Sequence, residues 1–405
     1  MPVQLEKIDR YSFPSGLLDF TVRSDGELLY AACMDGIYEL PLSSLASSSL
    51  TPEQPAANES DKEKNEKLKG KTKPRRIGRH GSYVSSVALI ESTHSLLSAS
   101  YDGIFQIRDL SGSGTVPEVS NADQPEAKAT LNEANDLTPR LSERVHSFWS
   151  WDMALSPDQR FVASVSGQYL AGAEDYSPQA SPEPNVKILE SGTAKVIHAL
   201  EMLPSVQCVA FDSSSRYLAA GNLMGDLAVW DVENGKALAQ WRTKSFTSWG
   251  IIKSHCYIGG VFAVAFSPDG ESLYAAGMGD MKDPMAGNGK QLWQRFDWRK
   301  APVEMKQETV GSQSGEGLME TLAWHPNGTQ FVMGGRLRGG KWNLGIFDAS
   351  SGQLIGEAKT GMRITTARYS PDGTVLYLGG MQGQPGPKEN RFPDFGYLER
   401  YRVKQ

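Results

Sequence analysis

Short apolar runs alternate with polar turns along the whole chain. One complete unit is VFAVAFSPDGESLYAAG at residues 261–277, in which two apolar runs flank the turn SPDG. Proline presets the backbone angle of such a turn and glycine accepts a positive φ, so the unit predicts a β-hairpin. Both faces of the run VFAVAF are apolar, which indicates a strand that is covered on both sides.

The same hairpin pattern occurs seven times, and in most units a third β-prone run such as LAVWDV follows it. A fourth strand can be placed in the segment that leads to the next unit, for example KALAQW at 236–241. Repeated units of four short strands are typical of a β-propeller, in which each sheet is one blade. The other six hairpins are LLDFTVRSDGELLYAAC, VSSVALIESTHSLLSAS, WDMALSPDQRFVASVSG, VQCVAFDSSSRYLAAG, METLAWHPNGTQFVMGG and ITTARYSPDGTVLYLGG.

The two ends of the chain complement each other. The segment QLEKIDRY resembles an outer strand, whereas the last unit ends at YLERYRV and lacks one. We therefore predict that residues 3–12 complete the last blade and close the ring, which removes open sheet edges. Residues 1–405 then form a single all-β propeller of seven blades, and two polar stretches at about 43–76 and 111–142 are expected to be flexible inserts.

The repeats resemble those of the WD-repeat family of propellers, although they are divergent. That family has a histidine before the first strand, a serine or threonine and an aspartate around the second, and Trp-Asp at the end of the third. His80, Ser100 and Asp102 match this pattern in the second unit, and His146 matches it in the third. The third strands end in the pairs Arg108-Asp109, Leu189-Glu190, Trp230-Asp231, Phe296-Asp297 and Phe347-Asp348.

Only the acidic residue recurs in these closing pairs, and a glycine usually follows it closely. A carboxylate in that place can accept hydrogen bonds from the N–H groups of the turn. We therefore interpret Asp231 and its equivalents as structural residues, with Trp230 supplying packing area between blades.

The resemblance places the loops between second and third strands on one face, the top, together with the links between blades. The turns of the SPDG type then lie on the opposite face, the bottom. The longest additions between second and third strands are 169–185, 278–291 and 381–396, so the elaboration is expected to be one-sided.

Aromatic and basic side chains gather in these loops and links, and such residues supply most of the energy at recognition surfaces. We predict a partner-binding surface on the top face. The alternative is that the aromatic residues only cap the central channel. The predicted residues are Trp149, Trp151, Trp249, His255, Tyr257, Arg336, Arg338 and Trp342.

No strong catalytic or cofactor motif is present: HExxH, GxxxxGK[ST], GxSxG and a paired cysteine–histidine spacing are all missing. Cys33, Cys208 and Cys256 are far apart, which favours core positions over disulfides or a metal site. We therefore predict neither an enzyme, a metal nor a cofactor. The net charge of -6 argues against a general nucleic-acid binder. No run approaches the ~20 apolar residues of a membrane span, and we expect a cytoplasmic protein.

The leading interpretation is a non-enzymatic scaffold that binds a protein or peptide through the top face. One alternative is a hydrolase or lactonase of the propeller type with its site in the central channel, where Asp19, Asp152 and Glu320 are the polar residues among the unit openings. A second alternative is binding of an anionic ligand or nucleic acid through the basic run at 62–76 and the segment RLRGGK.

Overall fold

The computed structural model describes residues 2–42, 70, 72–111, 136–168, 182–203, 205–249, 257–283, 288–309, 317–337, 341–383, 386 and 393–404. These residues form 29 β-strands and two short 3-10 turns. The strands make seven antiparallel sheets, six with four strands and one with five, and strands near the inner edge of each sheet contact those of its two neighbours. The predicted all-β propeller of seven blades is confirmed.

Each blade is described from the channel outwards. The strands follow chain order within every blade except blade seven, whose outer strand is β1. Blade one contains β2 (Leu17–Val22), β3 (Leu28–Cys33), β4 (Gly36–Pro41) and β5 (Arg75–Gly78). Blade two contains β6 (Val84–Ile90), β7 (Ser95–Ser100), β8 (Ile104–Asp109) and β9 (Leu141–Arg144). Blade three contains β10 (Asp152–Leu155), β11 (Phe161–Val165), β12 (Val186–Glu190) and β13 (Val196–Leu200). Blade four contains β14 (Val206–Phe211), β15 (Tyr217–Asn222), β16 (Asp226–Asp231) and β17 (Ala237–Arg242).

Blades five and six have longer inner strands, and blade seven takes its fourth strand from the N-terminal end of the chain. Blade five contains β18 (Thr247–Trp249), β19 (Tyr257–Phe266), β20 (Leu273–Asp283), β21 (Asn288–Asp297) and β22 (Glu304–Glu308). Blade six contains β23 (Gly317–Trp324), β24 (Gln330–Leu337), β25 (Leu344–Asp348) and β26 (Leu354–Ala358). Blade seven contains β27 (Arg363–Tyr369), β28 (Val375–Met381), β29 (Gly396–Lys404) and β1 (Gln4–Phe13).

The turns of the SPDG type carry their own hydrogen bonds. In blade five the hydroxyl of Ser267 donates to Asp269 at 2.5 Å and accepts from the backbone N–H of Ser272 at 2.9 Å. Gly270 has a φ of +71°, which glycine adopts without strain. The turn sequence therefore fixes the hairpin that the apolar pattern predicted.

The core is divided among the blade interfaces. The described residues form seven apolar clusters, and each cluster joins two adjacent blades. A blade therefore buries both faces against its neighbours, which explains why runs such as VFAVAF have no polar face.

The ring is closed by strand β1, as the fold prediction required. Strand β1 pairs with β29 from Gln4 opposite Lys404 to Phe13 opposite Gly396. A buried ion pair between Asp9 and Arg400 ties the two strands together. No helix in the described part of the chain is long and apolar enough to cross a membrane.

The expectation of a one-sided elaboration needs correction. The two longest additions connect a third strand to a fourth strand, β4 to β5 and β8 to β9. Such connections leave at the bottom, because antiparallel strands alternate in direction. The fourth strands also begin inside the predicted spans, at Arg75 and Leu141. Most of each insert lies outside the described residues.

Candidate functional site at the top of the channel

The contacts of the family pattern occur in blades two and three. In blade two, Nε2 of His80 lies 2.8 Å from the hydroxyl of Ser98, and in blade three the same atom of His146 lies 3.1 Å from Ser164. The sequence interpretation had placed this hydroxyl at Ser100. Ser98 and Ser100 share one face of β7, and the residue farther from the loop meets the histidine. Burial lowers the pKa of His146 to about 4, so that ring is neutral.

The acidic residues at the ends of the third strands act in two ways. Asp231 accepts hydrogen bonds from two backbone N–H groups of its turn, at 3.1 and 3.3 Å. Asp348 accepts one from Ser351 at 2.7 Å, and this bond with the neighbouring serine hydroxyls lowers the pKa of Asp348 to about 2. The other two aspartates lie beside cations: Asp109 is 3.1 Å from Arg140, and Asp297 is 3.7 Å from Lys300. Asp231 has such a neighbour as well, because Arg216 lies 3.5 Å away.

Five aromatic rings meet where blades two and three border the top of the channel. We call Tyr83, Tyr101, Phe148, Trp149 and Trp151 the aromatic cluster. Trp149 is parallel to Tyr101, with ring centroids 5.0 Å apart, and parallel to Phe148 at 5.3 Å. Trp151 meets Tyr101 and Trp149 edge-on at 5.3 and 5.2 Å, and Tyr83 lies 5.9 Å from Tyr101. Such geometries stabilise aromatic pairs beyond the area they bury.

The backbone beneath the cluster is held by one glycine. The carbonyl of Gly103 accepts hydrogen bonds from the N–H groups of Val145 and His146 at 2.9 and 3.0 Å. Gly103 has a φ of +75°, and a Cβ added to it would lie 2.1 Å from the carbonyl oxygen of His146. The indole N–H of Trp151 donates to the carbonyl of Gly167 at 3.0 Å. The link that carries Phe148 and Trp149 is therefore fixed in place.

The cluster is only partly covered. Trp149 is 42% exposed and Tyr83 is 46% exposed, although both rings pack against aromatic neighbours. Large hydrophobic side chains with this exposure are common at recognition sites. The geometry therefore presents a rigid apolar edge to solvent at the channel mouth.

Below the mouth, the channel contains a cavity of about 650 Å³ lined by the innermost strands. Its carboxylates join one blade to the next: Asp19 accepts a hydrogen bond from the N–H of Val87 at 3.1 Å, and Asp152 accepts one from Val209 at 3.0 Å. The hydroxyl of Thr321 accepts the equivalent bond from blade seven at 3.0 Å. These polar residues therefore hold adjacent blades together.

The other charged groups of the channel either form ion pairs or have a changed pKa. Glu320 forms a bidentate ion pair with Arg363. Burial, with the nearby carboxylate of Asp19 adding to it, raises the pKa of Asp152 to about 7. Among the described residues, no group of three or more histidine, cysteine, aspartate and glutamate side chains is arranged to hold a metal ion.

The structure brings only some of the predicted top-face residues together. Trp149 and Trp151 lie in the aromatic cluster, and Arg336 is exposed near the top end of β24. Trp249 and Tyr257 are directly opposite each other in the pair of β18 and β19, which adds a hairpin to the top of blade five. His255 and Arg338 lie outside the described residues.

Trp342 has a different environment from the one expected. It is 4% exposed and packs edge-on against Phe347 at 6.0 Å, within the cluster between blades five and six. Its position therefore supports the blade interface. Tyr83 and Tyr101 were not predicted, although each stands at the top end of a strand that the apolar pattern had located.

Six four-stranded blades and one five-stranded blade around a channel define a seven-bladed β-propeller, and the histidine–serine contacts of blades two and three resemble those of WD repeats. No protein-family model matches the sequence. Over 147 residues the chain is 32% identical to U3 small nucleolar RNA-associated protein 13 of Saccharomyces cerevisiae, a match that covers 34% of this chain and 16% of that protein.

Proposed function

We propose that the molecule is a non-enzymatic scaffold that binds a segment of a partner protein across the top mouth of the channel. The aromatic cluster would be the centre of this surface. The supporting observation is that Trp149 and Tyr83 stay exposed while Trp149 is stacked on Tyr101 and Tyr83 lies tilted against the same ring. Rigid aromatic side chains lose little conformational entropy on binding and so make effective anchors.

The alternative is that the aromatic residues only cap the channel. A cap would bury its rings against each other, as Trp342 is buried in blade six. Trp149 keeps a large exposed edge instead, which favours recognition. The predictions for Trp249 and Tyr257, and for a cytoplasmic location, remain predictions.

The test compares the full-length protein with a Tyr83→Ala, Trp149→Ala variant as baits in a lysate of the native cell. The matched control is Leu238→Ala with Met305→Ala, because these side chains are 44% and 47% exposed on outer strands of other blades. We expect the aromatic variant to lose its main partners about tenfold, the effect of about 1.4 kcal/mol, and the control to keep them. Quantitative mass spectrometry measures the captured proteins.

Thermal melting of each variant checks that the propeller is intact. If the aromatic variant and the control capture the same proteins in the same amounts, the mouth of the channel is not the binding surface.

A further inference from the structure

One buried asparagine joins three segments at the top of blades six and seven. Asn343 is fully buried, and its side-chain NH₂ donates to the carbonyls of Gly335 and Met362 at 3.2 and 2.8 Å. It also donates to the hydroxyl of Thr360 at 2.9 Å, while its carbonyl accepts from the backbone N–H of Thr360 at 2.8 Å. Residues that are distant in sequence are therefore fixed around one point.

Each of these segments carries one or two cations within two residues of Asn343 or of its partner residues. We call Arg336, Lys341, Lys359 and Arg363 the basic sector. Arg336, Lys341 and Lys359 are exposed, and none of the three has an ion pair within the described part of the chain. The fourth cation, Arg363, is 41% exposed at its side chain and pairs with Glu320. The sector has an excess of positive charge on a rigid base.

The basic sector faces the aromatic cluster across the mouth of the channel. Arg363 and Glu320 line the same cavity as Tyr101 and Trp151. Burial raises the pKa of Tyr101 to about 12, and the nearby charges of Arg363 and Glu320 lower and raise it, respectively. An extended peptide that crosses the mouth would touch an apolar edge on one side and cations on the other.

The other side of the top face carries carboxylates. Glu183, Glu201 and Asp226 line a groove between blades three and four. Lys187 pairs with Glu183 and Arg242 pairs with Asp226, which leaves Glu201 as the unpaired acid among the described residues of this groove. A bound segment would therefore have a preferred direction, because charge complementarity sets register and excludes wrong partners.

We propose that the partner segment is acidic: it places an apolar side chain against the aromatic cluster and aspartate or glutamate side chains on the basic sector. This inference rests on the proposed function and names the chemistry of its partner. A nucleic acid fits less well, because Trp149 already stacks with two parallel rings, which leaves an edge where a base would need a face.

The experiment measures binding of defined fluorescent probes to the full-length protein. The first probe is a short capped peptide in which a phenylalanine pair precedes a run of glutamates. Matched peptides replace the glutamates with serines or with lysines, and an oligouridylate of similar length tests the nucleic-acid alternative. The protein variants are Arg336→Glu with Lys359→Glu, and Trp149→Ala. The control, Lys195→Glu with Lys236→Glu, makes the same charge change at exposed residues in the bottom turns of blades three and four.

We expect the glutamate peptide to bind most tightly and to weaken in moderate salt. The Arg336→Glu, Lys359→Glu variant should lower its affinity about tenfold, while the control variant should not change it. Trp149→Ala should weaken both the glutamate and the serine peptide. Melting curves confirm that each variant is folded.

Other outcomes overturn the inference in different ways. If the serine peptide binds as tightly as the glutamate peptide and only Trp149→Ala weakens it, the aromatic site stands and the acidic partner is wrong. Equal or tighter binding of the lysine peptide or the oligouridylate also overturns the acidic partner. If no peptide binds, or if Trp149→Ala has no effect on any of them, the proposed function falls as well.

Discussion

Blades two and four fill the same position with opposite chemistry. Arg108 on β8 and Trp230 on β16 each stand before the closing aspartate of a third strand, and each side chain is 2% exposed. Both point into the interface with the preceding blade. The position therefore requires volume, and the two blades meet that requirement with a guanidinium and an indole.

The arginine is tolerated because its donors find acceptors. Arg108 donates to the carbonyls of Arg79 and Leu137 at 2.7 and 3.1 Å, to the side chain of Gln106 at 2.5 Å and to the hydroxyl of Ser98 at 3.3 Å. Burial lowers its pKa to about 10, which leaves it charged at neutral pH. A buried polar group is acceptable when it is fully hydrogen-bonded.

The tryptophan needs shape alone. Trp230 packs with Val186, Leu200 and Val206 in the cluster between blades three and four. A propeller interface can thus be apolar or polar, but a polar version depends on several residues being correct together.

The largest expected effect comes from conservative replacements at this position. Arg108→Lys should destabilise the protein by about 2–4 kcal/mol, because one ammonium cannot reach all the acceptors and leaves some buried without a partner. Trp230→Phe should cost about 1–2 kcal/mol, because the ring still fills most of the volume. Urea unfolding of both variants measures the difference. A larger loss for Trp230→Phe would contradict the comparison.

The second effect separates stability from binding. Gly103 in blade two and Gly225 in blade four both have positive φ, at +75° and +78°. The carbonyl of each glycine accepts a backbone hydrogen bond from the link that leads to the next blade. Alanine at Gly225 should cost about 2 kcal/mol through backbone strain, and alanine at Gly103 should cost at least as much because its Cβ would also meet the carbonyl of His146. Only Gly103→Ala should also weaken peptide binding, because the link that bonds to the Gly103 carbonyl carries Trp149. If Gly225→Ala weakened peptide binding equally, the aromatic cluster would not be the binding site.

The third effect concerns the carboxylates that attach these blades to their predecessors. Asp152 holds blade four, and its folded-state pKa of about 7 lies above the usual 3.8, so ionisation costs stability as pH rises between these values. Asp152→Asn should therefore be more stable than the wild type by about 1–2 kcal/mol at pH 8 and should lose this advantage near pH 4. Asp19 holds blade two and pairs with Arg368 at 3.2 Å.

Asp19→Asn is the matched control for that change, because it removes an ion pair and should give no gain at pH 8. Melting temperatures measured across the pH range decide the matter. A gain for Asp152→Asn that does not change with pH would mean that ionisation is not its cause.

The smallest effect tests the two closing aspartates. Asp231→Ala should cost about 1 kcal/mol, because it leaves two turn N–H groups without their acceptor. Asp109→Ala should cost less than about 0.5 kcal/mol, since its partner Arg140 forms an exposed pair. Thermal unfolding with matched heating rates measures both. Equal losses would show that the acid has one role in both blades.

The propeller fold could be predicted from the sequence because local signals determine it. The SPDG turns carry their own hydrogen bonds, as Ser267 and Asp269 show, and the apolar runs between them have no polar face. Closure by QLEKIDRY followed from counting strands. These features depend on neighbouring residues and therefore appear in the sequence.

The candidate site could be predicted only in part, because it depends on contacts between distant segments. Tyr101 meets Trp149 only after blades two and three are packed. The basic sector exists because Asn343 brings Gly335 and Met362 together. Trp342 looked like a surface residue because it lies in a loop-like segment, yet its ring turns into the blade interface.

The pairing of β1 with β29 also has a consequence for synthesis of the chain. Lys7 and Glu399 are 392 residues apart, so the first strand leaves the ribosome long before its partner exists. At usual translation rates that interval is roughly 20–80 s. During this time β1 is an unpaired edge, and its alternating charges in QLEKIDR would discourage it from joining another chain. The strand that closes the ring is thus also the one most exposed to aggregation before the ring can form.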